Sequence, residues 1–153
     1  MNIFSLFRRK PPPAPLTPAP DSSTEPPIQT ILRALVIVYD PVVDKASGKK
    51  LSEHMRWNKV EDLAVGFMSD ILQASGGLVR YQITQRIDVD SFPAKVDGYS
   101  YDANTYLNVQ RGATPPYMPQ EADYLAIIKQ FDILKRVARN EIDEVWIFNF
   151  PDA

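Results

Sequence analysis

The sequence predicts an α/β fold: a small three-layer αβα domain on a mainly parallel sheet of about three strands, in the order 2-1-3. Residues 31–39 (ILRALVIVY) form a nearly continuous apolar run, which is typical of a strand buried on both faces of a parallel sheet. Two later segments carry apolar residues at helical spacing, and each is followed by a further strand-like segment. This alternation favours a parallel sheet with helical crossovers, and the most apolar strand is expected at its centre.

A proline-rich arm precedes the domain. Eight of the 14 prolines lie within residues 11–27, where few side chains are apolar enough to form a core. We therefore expect residues 1–27 to be a disordered arm that favours extended polyproline II conformations. The α/β domain is assigned to residues 28–153. Its last strand lies close to the chain end, which favours a domain truncated at its C-terminus or one that pairs with another chain.

The first helix is expected to begin at Asn58 and to end at Gly76 and Gly77. Asn58 suits the N-cap position, and Glu61 three residues later would complete a capping box. Glycine accepts the left-handed conformation that commonly follows a helix terminus. The preceding segment, residues 42–57, is interpreted as a loop.

The second half of the domain is expected to contain two strands and two helices. Residues 79–90 alternate between apolar and polar side chains, which predicts a half-buried strand near a sheet edge, with a bend or an exposed patch at Gln85. Asp102 is predicted to cap a short helix. Helical spacing predicts a single helix over residues 124–137, and a third strand is predicted at residues 144–150.

Composition excludes several kinds of site. The chain has no cysteine, so disulfides, thiolate catalysis and cysteine metal sites are absent. His54 is the only histidine, which rules out motifs that need two histidines from one chain. The net charge is −2 and the only dense basic run is residues 8–10, so nucleic acid is not an expected partner. No metal site is assigned, and the cofactor is unknown.

Residues 1–10 do not have the order of a secretory signal. Their short apolar run precedes the basic residues, whereas a signal peptide has its charges first and a longer apolar stretch after them. A cytoplasmic location is therefore expected. Membrane contact through these residues is not expected, because one short segment binds a bilayer weakly.

A candidate site follows from the predicted topology. In an open parallel sheet, ligands bind beyond the carboxyl ends of the strands where the strand order reverses, here between the first and third strands. The catalytic candidates are Asp40 and Asp152, which follow these two strands, and His54 from the loop. The ligand-binding candidates are Trp57 and Asn149. Two structural interpretations compete: Asp40 as a turn former and Trp57 as a residue packed on the first helical turn.

Four segments together resemble a known group of sequences. They are residues 33–41 (RALVIVYDP), 51–58 (LSEHMRWN), 87–102 (IDVDSFPAKVDGYSYD) and 141–151 (EIDEVWIFNFP). As a set they resemble the N-terminal part of an uncharacterised family of bacterial α/β proteins that are often predicted to be exported. The resemblance implies a domain that continues past this point and export as the alternative location. It carries no activity and no catalytic residue.

Two functions compete at this stage. The first is a non-catalytic α/β binding or interaction module, favoured by the missing catalytic motifs and by an open sheet edge that another domain or a second copy would cover. The alternative is a hydrolase with a carboxylate site, with or without a metal ion, at the carboxyl ends of the first and third strands.

Overall fold

A computed structural model of the chain describes residues 28–151. The predicted arm and Asp152 lie outside the described residues. The structure contains five strands and five helices in these residues. They are, in chain order, β1 (Thr30–Tyr39), β2 (Val42–Asp44), β3 (Lys49–Lys50), α1 (Leu51–Met55), α2 (Val60–Ala74), β4 (Val79–Val89), α3 (Ala103–Gln110), α4 (Tyr124–Gln130), α5 (Ile133–Ala138) and β5 (Glu144–Phe148). Within residues 28–151, no helix has the length and apolarity needed to cross a bilayer.

The main sheet has three parallel strands in the order β4-β1-β5. The prediction of an α/β fold with a parallel three-stranded sheet is therefore confirmed. The order differs in its numbering from the predicted 2-1-3, because β2 and β3 were not predicted and shift the count of later strands. From Ala34 to Tyr39 the central strand is completely buried, in agreement with its apolar sequence.

The prediction of a loop over residues 42–57 was wrong. This segment folds into an antiparallel pair, β2 and β3, followed directly by α1. Gly48 adopts a positive φ of 70° in the connection, a conformation that glycine accepts without steric cost. Asp44 closes the turn by accepting hydrogen bonds from the Ala46 N–H and the Ser47 hydroxyl. The local pairing was missed because the two strands are only three and two residues long.

The predicted capping box at the start of the long helix was also wrong. The N-cap of α2 is Lys59, and its side chain makes no capping hydrogen bond. Glu61 instead forms an ion pair with Arg86 of β4, so a tertiary partner replaces the predicted local one. The end of the helix is as expected, since Gly76 and Gly77 follow it with positive φ angles.

The helix predicted over residues 124–137 is divided into α4 and α5. Asp132 interrupts it with a left-handed φ of 51°, and the carboxylate of Asp132 accepts a hydrogen bond from Lys135. Because of this break, Ile133 is buried whereas Leu134, which lies on the predicted apolar face, is exposed. A continuous apolar period was present in the sequence, but it did not reveal the change of direction between the two segments.

A β-bulge in β4 changes which face its side chains occupy. The register with β1 shifts between Ala34 and Leu35, where Thr84 is the extra residue and donates a hydrogen bond to the Ala34 carbonyl. Side chains of paired residues in neighbouring strands point to the same face. The odd-numbered positions of β4 therefore lie on one face before the bulge, as at Tyr81, and on the other face after it, as at Ile87. This is the irregularity that the polar Gln85 indicated.

The two faces of the sheet are covered differently. Side chains at positions 35, 37 and 39 belong to the main core with residues of α3, α4 and α5, among them Tyr106 and Ile127. The opposite face carries Val36 and its neighbours, and α2 packs against β4 on this side. Near the amino end of β1, Arg33 binds both Asp143 and Asn140, which precede β5. These contacts tie β1 to the segment that leads into β5.

Candidate functional site

A crevice lies at the carboxyl ends of β1 and β5, where the topology predicts a site. Its volume is about 320 Å³, within the range of small-molecule pockets. Aliphatic and aromatic side chains make up most of its wall, with a few polar groups among them. The lining residues are Val38, Tyr39, Asp40, Ser52, Trp57, Asn58, Val60, Leu63, Phe148, Asn149, Phe150 and Pro151.

A second cavity of about 710 Å³ opens beside the first. The two share part of their walls, including Asp40, Ser52 and Trp57. The part of the second cavity that the first does not share has charged residues in its lining, among them Arg56, Arg86 and the two acids at the start of α2. The site is therefore one long depression with an apolar end and a charged end.

Asp40 lies in the crevice, but both of its carboxylate oxygens are engaged. One accepts a hydrogen bond from the Ser52 N–H at 2.9 Å and the other from the Ser52 hydroxyl at 2.7 Å. Ser52 is in the first turn of α1, whose N-cap Lys50 provides no side-chain cap. Asp40 therefore satisfies a backbone donor that would otherwise lack a helical partner, which is the role of a capping residue.

The other two catalytic candidates do not join Asp40 in the described structure. His54 is exposed on α1 and lines neither cavity. Asp152 lies outside the described residues. Among the described residues that line the smaller crevice, Asp40 is the only acid. A pair of carboxylates for general acid–base chemistry is thus absent from that lining.

The two ligand-binding candidates both reach the crevice. Trp57 forms one wall, with its ring stacked on that of Phe150 at a centroid distance of 6.1 Å. Asn149 is exposed and follows β5. Trp57 follows Arg56, which ends α1 in the left-handed conformation, and the Trp57 N–H donates to the Ser52 carbonyl. The indole is consequently held by the end of α1 as well as by Phe150.

Carboxylates elsewhere at this end of the sheet have protein partners. Asp88 binds Arg86, and Asp90 accepts the Val42 N–H at 2.7 Å. In residues 28–151, no group of three or more acidic, histidine or cysteine side chains is arranged to hold a metal ion. Asp88 therefore serves in an ion pair, and Asp90 ties β2 to the end of β4.

An aromatic cluster on the α2 side of the sheet was missed by the sequence analysis. Phe67 of α2 contacts Tyr81 and Trp146, and these two rings contact each other at 5.0 Å. Glu144 accepts hydrogen bonds from the Tyr81 hydroxyl and the Trp146 indole N–H. Desolvation, followed by the nearby Glu144, raises the pKa of Tyr81. The signal in the sequence was the alternation of Trp146 with Phe148, which places both on one face of β5.

Ser52 and Phe150 were also missed as parts of the site. Nothing in the sequence near Ser52 points to Asp40, which lies 12 residues earlier. Phe150 was assigned to the third strand, but β5 ends at Phe148 and Phe150 instead turns into the aromatic core beside Phe92 and Tyr106. The Tyr106 hydroxyl then donates to the Pro151 carbonyl at 2.8 Å and fixes this turn.

Comparison with known proteins identifies no family for this chain. No protein-family model, no curated protein and no solved structure matches it. The resemblance of the four segments stays a prediction. Function has to be inferred from the geometry of the described residues.

Proposed function

We propose that residues 28–151 form a non-catalytic interaction module whose binding surface is the outer edge of β5. One side of β5 pairs with β1, and no described strand pairs with the other side. Residues 145–148 (VWIF) carry no charge and all are half-buried. Unpaired backbone groups beside uncharged side chains form a template on which another strand can pair. This edge is the observation that carries the proposal.

The occupant that fits this edge is a second copy of the chain. An antiparallel pair of β5 strands related by a two-fold axis at Trp146 would set Val145 opposite the partner's Ile147. Glu144 would lie opposite the partner's Phe148, and the two Trp146 side chains would meet. Aromatic and β-branched pairs of this kind stabilise antiparallel strands. The result would be a six-stranded sheet in place of one with only three strands.

The helical layers support the same arrangement. We infer a three-layer domain, with α2 on one face of the sheet and α3, α4 and α5 on the other. Because α2 packs on β4, the surface beside β5 is left partly uncovered, and Leu63 and Phe67 are each 45% exposed there. Two copies joined at β5 would place these side chains along one shared trough, above the paired Trp146 residues.

A pair of variants at Phe148 tests the proposal. The Phe148 side chain is half-buried and lines the crevice, so Phe148→Glu and Phe148→Lys both lose its apolar contacts, and the comparison between them isolates the sign of the new charge. Phe148→Glu would set like charges opposite the partner's Glu144 twice per dimer, whereas Phe148→Lys would set opposite charges there. Sedimentation equilibrium of the full chain should show a concentration-dependent dimer for the wild type and for Phe148→Lys, but a monomer for Phe148→Glu.

Three results would contradict the proposal. A wild-type chain that stays monomeric up to its solubility limit would exclude pairing between copies, and would leave the β5 edge to a different partner strand. Equal loss of the dimer in both Phe148 variants would exclude the two-fold axis at Trp146. A dimer that persists unchanged in Phe148→Glu would place the contact elsewhere. Circular dichroism melts of each variant establish that the monomer remains folded.

A hydrolase is the second candidate, and the position of Asp40 and Ser52 in the crevice is what favours it. The competing interpretation is that Asp40 has only a structural role, as the cap of α1. If Asp40 acts through α1, Asp40→Ala should lower the free energy of unfolding by about 1–3 kcal/mol, as expected for loss of a cap and of a charged hydrogen bond. Magnesium or calcium should then leave the melting temperature unchanged. A rise in the wild type that Asp40→Asn abolishes would favour the hydrolase.

A further inference from the structure

A groove rich in tyrosine lies on a different part of the molecule from the β5 edge. We name it the tyrosine groove. Its volume is about 440 Å³. Its principal walls are Tyr99, Tyr101, Val109, Pro116, Tyr117 and Met118. No function was predicted for this segment from its sequence, and the crevice at the end of β1 does not include it.

The aromatic rings of this groove are held in place before any ligand binds. The rings of Tyr99 and Tyr117 stack with centroids 3.7 Å apart, and Tyr101 meets Tyr99 edge-on at 5.2 Å. The Tyr117 N–H donates to the Tyr101 hydroxyl oxygen at 2.7 Å, and the Tyr117 hydroxyl donates to Asp97 at 2.9 Å. A surface ordered in this way loses little conformational entropy on binding.

The groove nevertheless leaves apolar surface exposed. Met118 is 69% exposed, and Tyr117 and the neighbouring Val96 are also exposed. The carboxylates of Asp97 and Asp102 lie at its rim: Asp97 binds Tyr117, and Asp102 binds Thr105, which lines the groove. The groove therefore offers aromatic and apolar walls with a negatively charged border.

Fixed aromatic grooves of this chemistry are suited to polyproline II segments, because such a helix is extended and already ordered before it binds. The chain itself contains a proline-rich segment, residues 11–15 (PPPAP), whose composition favours that conformation and which directly follows Arg8, Arg9 and Lys10. We propose that residues 11–15 dock in the tyrosine groove of the same chain, with the basic residues beside Asp97 and Asp102.

The arm is long enough for this contact. Tyr101 also borders a cavity that contains Pro41, which directly follows β1, so the groove lies towards the carboxyl end of that strand. At about 3.3 Å per residue, β1 is roughly 33 Å long. Residues 16–27 span roughly 37 Å at about 3.1 Å per residue in a polyproline II conformation. The tether keeps the local concentration of the proline segment high.

A paramagnetic label on the arm tests the contact in the full chain. Because the chain has no cysteine, Ala14→Cys provides a single position for a nitroxide. We expect selective line broadening in NMR spectra for the Met118 methyl group and for backbone amides of residues 99–118. Leu134 on α5, with 70% exposure, serves as the reference position. Broadening no stronger at the groove than at Leu134 would overturn the proposal.

Matched charge variants separate specific docking from chance encounter. Met118→Lys should reduce the broadening to the level at Leu134, because it adds a positive charge where the basic residues would lie. Leu134→Lys adds the same charge at an equally exposed site and should leave the broadening unchanged. Equal effects of the two variants would contradict the proposal. In a mixture of nitroxide-labelled chains at natural isotope abundance with unlabelled, isotope-enriched chains, the groove signals should stay sharp; broadening in that mixture would assign the arm to a second copy and overturn the intramolecular form.

Discussion

The two edge strands of the sheet carry different side chains even at positions that pair with the same residue of the central strand. On the α2 side, Val36 in the central strand is flanked by Arg86 on β4 and by Trp146 on β5. Two residues further along β1 on this side, Val38 is flanked by Asp88 and Phe148. The β4 edge thus presents paired charges where the β5 edge presents aromatic rings.

The backbones of the two edge strands also differ in regularity. A bulge at Thr84 interrupts β4, whereas β5 pairs with β1 through five consecutive positions without a shift. Charges and bulges are the features by which natural sheets prevent edge-to-edge association. Of the two edge strands, only β4 carries both features, which is why the proposed partner is assigned to β5.

The largest effect is expected from removing the aromatic side chain at the β5 edge. Trp146→Ala loses the contacts with Phe67 and Tyr81 and the hydrogen bond to Glu144. A buried tryptophan costs about 3–5 kcal/mol when truncated, and this one is half-buried, so we expect a loss of about 2 kcal/mol in the free energy of unfolding. Urea denaturation at low protein concentration measures it. A smaller loss in the free energy of unfolding than that caused by Arg86→Ala would contradict the expected difference between the two edges.

A second effect should distinguish the bulge from the regular part of β4. Deleting Thr84 removes the extra residue, so Gln85 can follow Ile83 in regular register, and the expected cost is about 1 kcal/mol for the hydrogen bond to Ala34. Deleting Asp88 instead would turn the half-buried Val89 out of the core and should cost about 1.5 kcal/mol, more than the deletion of Thr84. Both variants can be compared by urea unfolding. Equal stability of the two would show that the bulge does not set the register.

The third prediction concerns the attachment of β5 at low pH. The Arg33 side chain and backbone N–H hold the pKa of Asp143 down from 3.8 to about 2. Because the folded-state pKa is depressed, this stabilisation is fully present above the unfolded value and is lost as pH falls from about 4 through about 2. Other carboxylates also contribute to acid unfolding, so the test compares the stability of the wild type with that of Asp143→Asn.

Melting temperatures of the wild type and Asp143→Asn should be compared at a series of pH values. The deficit of Asp143→Asn should be constant above about pH 4 and should shrink towards pH 2, because the wild-type carboxylate also becomes protonated in that range. A deficit that stays constant down to pH 2 would mean that the Arg33 pair does not contribute through ionisation.

The smallest effect is expected at the charged edge. Arg86 pairs with Glu61 and Asp88 near the surface, and exposed ion pairs of this kind contribute little. Arg86→Ala should therefore lower the free energy of unfolding by less than about 1 kcal/mol, and this loss should shrink in high salt. If the loss were as large as that of Trp146→Ala, the β4 charges would have a central structural role.

Part of the fold could be predicted because the relevant residues act locally or through composition. The apolar sequence of β1 predicted a buried central strand, and Asp102 was correctly predicted to cap α3 by accepting the Thr105 N–H. Prediction failed where a distant partner replaced a local one. Glu61 binds Arg86 instead of closing a capping box, and Asp132 breaks a helix whose apolar period is continuous.

The crevice lies at the sheet end that the topology predicted, but only part of its lining was predicted. Topology placed Asp40, Trp57 and Asn149 at one crevice because carboxyl ends of parallel strands meet at one end of a sheet. Strand order gives no information about side-chain direction, and the exposed His54 on α1 does not line the crevice. Strand order also could not predict that Ser52 donates hydrogen bonds to both carboxylate oxygens of Asp40.

By itself, the sequence of this protein determined that a parallel α/β sheet forms around one strongly apolar strand, because strand burial and helix periodicity follow from the spacing of apolar residues. Tertiary structure alone decided which edge of that sheet is protected. The bulge at Thr84 moves the apolar side chains of β4 from one face to the other. Because α2 packs on β4, Trp146 stays only half-buried, although Phe67 contacts it. Both outcomes depend on contacts between residues far apart in the chain, which no local pattern records.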